Sequence, residues 1–205
     1  MLTADKRKEL EEEFINTFTE KIKRKGSEML LEWIKGTDFF TAPASTRFHG
    51  DYAGGLLEHS LNVYRNLVKE AAIYNESVSK DYEKISDETI ALVALCHDLC
   101  KTNFYKTEMR NVKNPETKVW EEKPFYTVDD SFPYGHGEKS AYLVGYFVKL
   151  TASEMMAIRW HMGGFDDSVK GGSYAIGNAF EKYPLAVLLH VADLKATYLD
   201  EGGNS

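Results

Sequence analysis

The chain has 205 residues, 43% of them hydrophobic, and a formal net charge of −7. That length suits one compact domain with a real core, and the acidic balance argues against a grip on long nucleic acid, where each phosphate contact needs a cation. No apolar run is long enough to cross a bilayer, and the early charges of Met1 to Lys6 leave no room for a secretory leader, so a cytoplasmic protein with no membrane association is expected.

Residues 4–24 predict an amphipathic helix, with Leu10, Phe14, Phe18 and Ile22 at helical spacing. The basic cluster Lys21, Lys23, Arg24 and Lys25 reads as its solvated end. A second helix spans about 27–35 and stops at Gly36, and residues 37–53 are breaker-rich loop. Gly54-Gly55 opens a long helix to about Ile73, with Leu57, Leu61, Tyr64, Val68 and Ala71 as its core stripe. Ser86, followed by Asp87 and Glu88, starts another helix that runs to about Lys101. Its run Ile90 to Leu95 is apolar on every side, the mark of a central buried helix.

Residues 103–128 break the helical pattern. Phe104, Tyr105, Val112, Val119, Trp120, Phe125 and Val128 favour strands around Asn114-Pro115-Glu116, which predicts an inserted β-hairpin. Helices resume after Gly137 to about Leu150. Thr151 with Glu154 has a capping-box pattern for a helix that reaches His161. Residues 162–182 are glycine-rich and predict a mobile segment. Pro184 sits where a first-turn proline belongs, opening a last helix to about Leu199. The expected fold class is therefore all-α with one inserted hairpin. The expected domain is a single one over 1–205, its N-terminal helices (1–46) packed on a core of 47–200.

The chemistry concentrates in the histidines. His97 and His161 end or interrupt apolar runs, where an imidazole costs free energy unless it has a partner. His97-Asp98 places imidazole beside carboxylate at the end of the buried helix. His190 and Asp193, three apart, share a face of a helix otherwise rich in Leu, Val and Ala. A buried Asp193 needs a cation, and the histidines suggest a metal. Cys96 and Cys100 are four apart and lack the CxxC spacing of a thiolate zinc site, so they read as reduced, buried thiols.

Taken together, His59, then His97-Asp98, then Asp193 within Leu189-His190-Val191-Ala192-Asp193, resemble the H…HD…D signature of the HD-domain superfamily of metal-dependent phosphohydrolases. Gly54 to Ser60 and Ala94 to Lys101 are similar to the segments around the first histidine and the HD pair. Gly135 to Glu138 and Ile158 to His161 resemble the two further histidine segments of dinuclear members. The resemblance covers about residues 47–200 and is strongest to the HD domain of bacterial 3′–5′ exoribonucleases, without their oligonucleotide-binding domain.

The resemblance implies an HD-type helical bundle. It implies that His59, His97, Asp98 and Asp193 bind one ion, and that Asp98 bridges to a second completed by His136 and His161. One or two divalent transition metals (Mn, Fe, Co, Ni or Zn) suit such imidazole and carboxylate ligands. It further implies hydrolysis of a phosphoester of a nucleotide, cyclic nucleotide or short oligonucleotide, with a metal-held hydroxide attacking phosphorus. Asp98, Lys101 and His190 are the catalytic candidates, with His190 as general acid or as an orienting partner of the ligands. Lys101, Arg47 and His49 are the substrate-binding candidates, although Lys101 reads equally as a solvated lysine at a helix end. Cys100 stands where the family usually has glycine, which puts the backbone path to Lys101 in question.

Two other readings share the scaffold: a di-iron oxygenase acting on a small polar substrate, and a non-catalytic, metal-stabilised nucleotide sensor. The expected partner is a small phosphorylated substrate, a nucleotide first of all. A homodimer is admissible, with the hairpin as dimer contact or as substrate lid.

Overall fold

The computed structural model describes residues 2–79 and 83–202; the ends of the predicted domain, Met1 and 203–205, lie outside the described residues. The molecule is mostly helical, with one antiparallel hairpin. Helix α1 (Ala4–Lys21) starts where the Thr3 side chain accepts from the Lys6 N–H, and it buries Leu10, Phe14 and Phe18. Phe14 packs on Phe39 and Phe40, with ring centroids 4.9 and 5.5 Å away. This apolar cluster continues through α2 (Ser27–Lys35), α3 (Gly55–Ser77) and α4 (Asp87–Cys96). Removing a ring such as Phe14 from it costs about 3–5 kcal/mol.

Helix α1 ends three residues earlier than its pattern predicts, and the reason corrects the reading of the basic cluster. Arg24 is not part of a solvated helix end. It turns inward to pair with Glu154 and Glu88. Glu88 also accepts the backbone N–H groups of Lys23 and Arg24 at 2.7 and 2.9 Å, which are freed where the helix stops.

Gly54 and Gly55 fix how α3 begins. Gly54 has φ +88°, and a β-carbon on Gly55 would lie 2.0 Å from the Gly50 carbonyl oxygen. The loop before α3 can therefore press against its first turn, which lays the His49 ring 4.8 Å from that of His59. Helix α4 is buried from Ile90 to Cys96, as its apolar run predicts, but it stops at Cys96 rather than Lys101. His97 and Asp98 follow as a turn, and Leu99–Lys101 form one 3₁₀ turn.

Strands β1 (Tyr105–Lys113) and β2 (Trp120–Val128) pair from Tyr105↔Val128 to Lys113↔Trp120. By this register one face carries Tyr105, Met109, Trp120, Pro124, Tyr126 and Val128, and the other carries Lys106, Glu108, Arg110, Glu121 and Lys123. Helices α5 (His136–Phe147) and α6 (Ala152–Trp160) follow, and Thr151 and Glu154 form the expected capping box.

The glycine-rich stretch 162–182 is more ordered than predicted. It forms a 3₁₀ turn (Gly163–Phe165), a short α7 (Asp167–Lys170) and α8 (Ala175–Lys182). Asp166 caps α7 and holds Arg159 at 2.8 Å, a tertiary partner that a composition count cannot see. Helix α9 (Pro184–Lys195) packs against α3 and α6, then widens into a π turn over Ala196–Asp200. No helix among the described residues is long and apolar enough to cross a membrane.

Candidate metal centre

Six of the residues singled out by the sequence converge where α3, the end of α4, the start of α5, the end of α6 and α9 meet. Asp98 is at the centre and almost fully buried. Its Oδ1 lies 2.8 Å from His136 Nε2 and 3.3 Å from His161 Nε2. Its Oδ2 lies 3.6 Å from His97 Nε2 and 3.7 Å from His59 Nε2. His59 Nε2 is also 3.2 Å from Asp193 Oδ1 and 3.3 Å from His97 Nε2. Of the three sets of groups among the described residues close enough to share an ion, two contain Asp98: His59, His97 and Asp98, and Asp98, His136 and His161.

Helix ends aim these rings. His97 is the C-cap of α4 and His161 the C-cap of α6. The last carbonyls of a helix have no intrahelical partner, and each ring uses one. His97 Nδ1 donates to the Ala94 carbonyl at 2.8 Å, and His161 Nδ1 to the Ile158 carbonyl at 2.7 Å. A carbonyl only accepts, so both rings carry their proton on Nδ1 and present the Nε2 lone pair to the cluster. His161 Nε2 is fully buried, lies beside a carboxylate oxygen that is itself an acceptor, and has no hydrogen-bond partner. An orphaned imidazole lone pair among converging imidazoles and carboxylates belongs to the donor set of a divalent cation, and the residues fit one.

The electrostatics express the same demand for positive charge. Burial opposes charge on His59, but Asp193 and Glu201 outweigh it and raise its pKa to about 10. His136 is also raised to about 10, with burial opposing and Cys100 and Asp98 prevailing. His97 has burial and the neighbouring imidazoles against its charge, only partly offset by Asp98, and falls to about 3. Burial alone would make Asp98 a weaker acid, yet Lys101 and the imidazoles hold its carboxyl well below the usual range.

Lys101 corrects one reading. It is buried, with Nζ 2.6 Å from Asp98 Oδ2, and is not a solvated lysine at a helix end. Cys100 does not divert the path to it. The Cys100 N–H bonds the Ser140 hydroxyl at 3.1 Å, and Sγ lies 3.4 and 3.7 Å from the two His136 ring nitrogens. Both cysteines are free and buried.

The remaining candidates stand further out. His190 Nδ1 donates to the His161 carbonyl at 2.7 Å, and its ring lies against Gly163, where a β-carbon would come within 2.2 Å. The His49 ring lies tilted against His59; burial, with the His59 and Lys101 charges adding to it, lowers its pKa to about 4. Arg47 lines the open cleft of about 1300 Å³ that leads to the cluster, with Phe48, Tyr105, Phe165, Lys170 and Tyr198.

Sequence reasoning missed Glu201, both of whose carboxylate oxygens lie 3.2 Å from His59 Nδ1. Its one local signal is an acidic residue two helical turns after Asp193, the pattern of an ordinary solvated helix end. No protein-family model, no curated protein and no solved structure matches the chain.

Proposed function

We propose that this chain is a metal-dependent phosphohydrolase on an HD-type helical scaffold, cleaving a phosphoester of a nucleotide, cyclic nucleotide or short oligonucleotide. The observation that carries the reading is the buried convergence of acceptors on Asp98, with His161 Nε2 orphaned among them. His59, His97, Asp98 and Asp193 would hold one ion, and Asp98, His136 and His161 a second. Divalent transition metals bound there supply Lewis acidity toward a phosphoryl oxygen and acidify a water nucleophile.

The chain's own groups do the rest. Lys101 neutralises Asp98 at the floor of the cleft and keeps a fixed positive charge where a phosphoryl group enters. Arg47 and Lys170 add cations along the cleft. His190 is assigned an orienting role, because its Nδ1 proton is committed to the His161 carbonyl and so holds the backbone of a ligand. The cleft exceeds the roughly 300–1,000 Å³ of most small-molecule sites. With Phe48, Tyr105, Phe165 and Tyr198 among its walls, it suits a base-bearing substrate better than free phosphate or a small polyol.

The test is metal content per chain with hydrolysis of a phosphomonoester and phosphodiester panel, for the native protein and for Asp98→Ala. Bound transition metal and turnover, both lost in the variant, support the reading. A native chain that takes up no metal after reconstitution sinks it.

A further inference from the structure

We infer that Glu201 is the positioning residue of the first ion position, holding His59 with Nδ1 protonated and Nε2 turned into the cluster. The inference rests on the metal-dependent reading above. It starts from a difference between the rings. His97 and His161 end their helices and find free carbonyls three residues back. His59 is the fifth residue of α3, where the backbone carbonyls are consumed by the helix itself. Its Nδ1 proton needs an acceptor from elsewhere in the chain, and the Glu201 carboxylate meets it with both oxygens at 3.2 Å.

The carboxylate is held in turn. Asn62 Nδ2 donates to Glu201 Oε1 at 3.1 Å, and the Glu201 side chain is only 4% exposed. The chain end is fastened along one stripe of α3. Asn62 bonds Glu201, Asn66 bonds Asp200 at 2.6 Å, and Glu70 pairs with Lys195. Residues 59, 62, 66 and 70 fall on a single helical face. The π turn makes this register possible. Glu201 N–H closes on the Ala196 carbonyl at 3.0 Å, a five-residue span that takes in one more residue than an α turn. Glu201 thereby faces α3 rather than the direction an α-helical continuation of α9 would give it.

His49, His59 and Glu201 are also close enough to share an ion. A ring that gives Nε2 to the Asp193 side keeps its proton on Nδ1, and that proton stands between Glu201 and any such ion. The pair is therefore an orienting contact, of the kind whose loss weakens metal affinity about 10–100-fold.

The experiment titrates full-length native protein, Glu201→Ala, Glu201→Gln and Asn62→Ala with Co(II) against a chromogenic chelator. It also records the Co(II) visible spectrum and the thermal unfolding of the metal-free proteins. The expected result is a 10- to 100-fold weaker first Co(II) equivalent in Glu201→Ala with an altered spectrum. The second equivalent should be unchanged. Glu201→Gln, whose amide oxygen still accepts from Nδ1, should recover much of the affinity, and Asn62→Ala should show a smaller loss. If Glu201→Ala does not fold, the Glu201→Gln and Asn62→Ala titrations decide. Native-like Co(II) binding by Glu201→Ala overturns the inference alone, as does loss of a whole further equivalent with the first unaltered, which would make Glu201 a ligand. A native chain that takes up no Co(II) overturns the metal reading and this inference together.

Discussion

Two of the buried polar clusters among the described residues, around Glu154 and around Asp98, are built on opposite principles. Around Glu154, whose side chain is 0% exposed, every acceptor has a donor from the chain itself. It accepts from Arg24 Nη1 and Nη2 at 2.9 Å each, Thr89 Oγ1 at 2.9 Å and the Thr151 N–H at 2.8 Å. Around Asp98 the network is incomplete: the buried His161 Nε2 has no hydrogen-bond partner. A saturated network needs nothing from outside and joins the turn after α1 to α4 and α6. An unsaturated one, placed at the floor of an open cleft, has room for a cation's ligand demand.

The sharpest way to break this contrast is to exchange the fates of the two acids. Asp98→Ala should abolish metal uptake and lower turnover about 10²- to 10³-fold or more, the scale of losing one electrostatic stabiliser. Glu154→Ala should leave metal content per chain as in the native protein. It should also cost about 3 kcal/mol of stability, because part-buried Arg24 is left with only its longer contacts to Glu88 and the Lys149 carbonyl. Urea unfolding with metal analysis on both variants reads both halves. If Glu154→Ala lost metal while remaining folded, the two clusters would be one system.

Adjacency and context made the Asp98 cluster legible in the sequence. His97-Asp98 and Asp193 are polar residues in runs that are otherwise apolar, and such residues advertise a need for partners. The Glu154 cluster was invisible. Arg24 stands in a basic run and Glu154 in a helix start, each with an adequate local explanation, and only tertiary folding brings them together across 130 positions of chain. Glu201 was hidden for the same reason, behind a π turn that no hydrophobic period announces. The order in 162–182 escaped notice because glycine content reports backbone freedom, whereas Asp166 and Arg159 there supply the restraint.

Acid separates the clusters next. Burial alone would make Glu154 a weaker acid, but Arg24, the Thr151 N–H and Thr89 prevail and hold it below its ordinary value of 4.5. The folded state therefore binds fewer protons than the unfolded one, and the stability this contributes is fully present above the unfolded value. It drains as pH falls through the lower folded value. Glu154→Gln should thus lose less stability than the native protein between about pH 5 and pH 3. Urea midpoints across that range, measured metal-free so that ligand protonation does not enter through metal release, check the sign. An equal loss in both proteins would mean that the depressed acid lies elsewhere.

The smallest expected effect tests whether saturation itself matters. Thr89→Val keeps the side-chain shape and removes one of the four donors on Glu154. The other three remain, so the acid stays paired, and the loss is that of a single hydrogen bond to a charged group, about 1.5–3 kcal/mol. Thr89 also accepts the Ser86 hydroxyl at 3.1 Å beside the N-cap of α4, a contact the valine forfeits as well. Chemical denaturation of Thr89→Val, Glu154→Ala and the double variant completes the cycle. If the network acts through Glu154, Thr89→Val should cost much less in the Glu154→Ala background than in the native one. Equal costs in the two backgrounds would place its effect at the start of α4 alone, and the contrast between a saturated and an unsaturated cluster would lose its energetic footing.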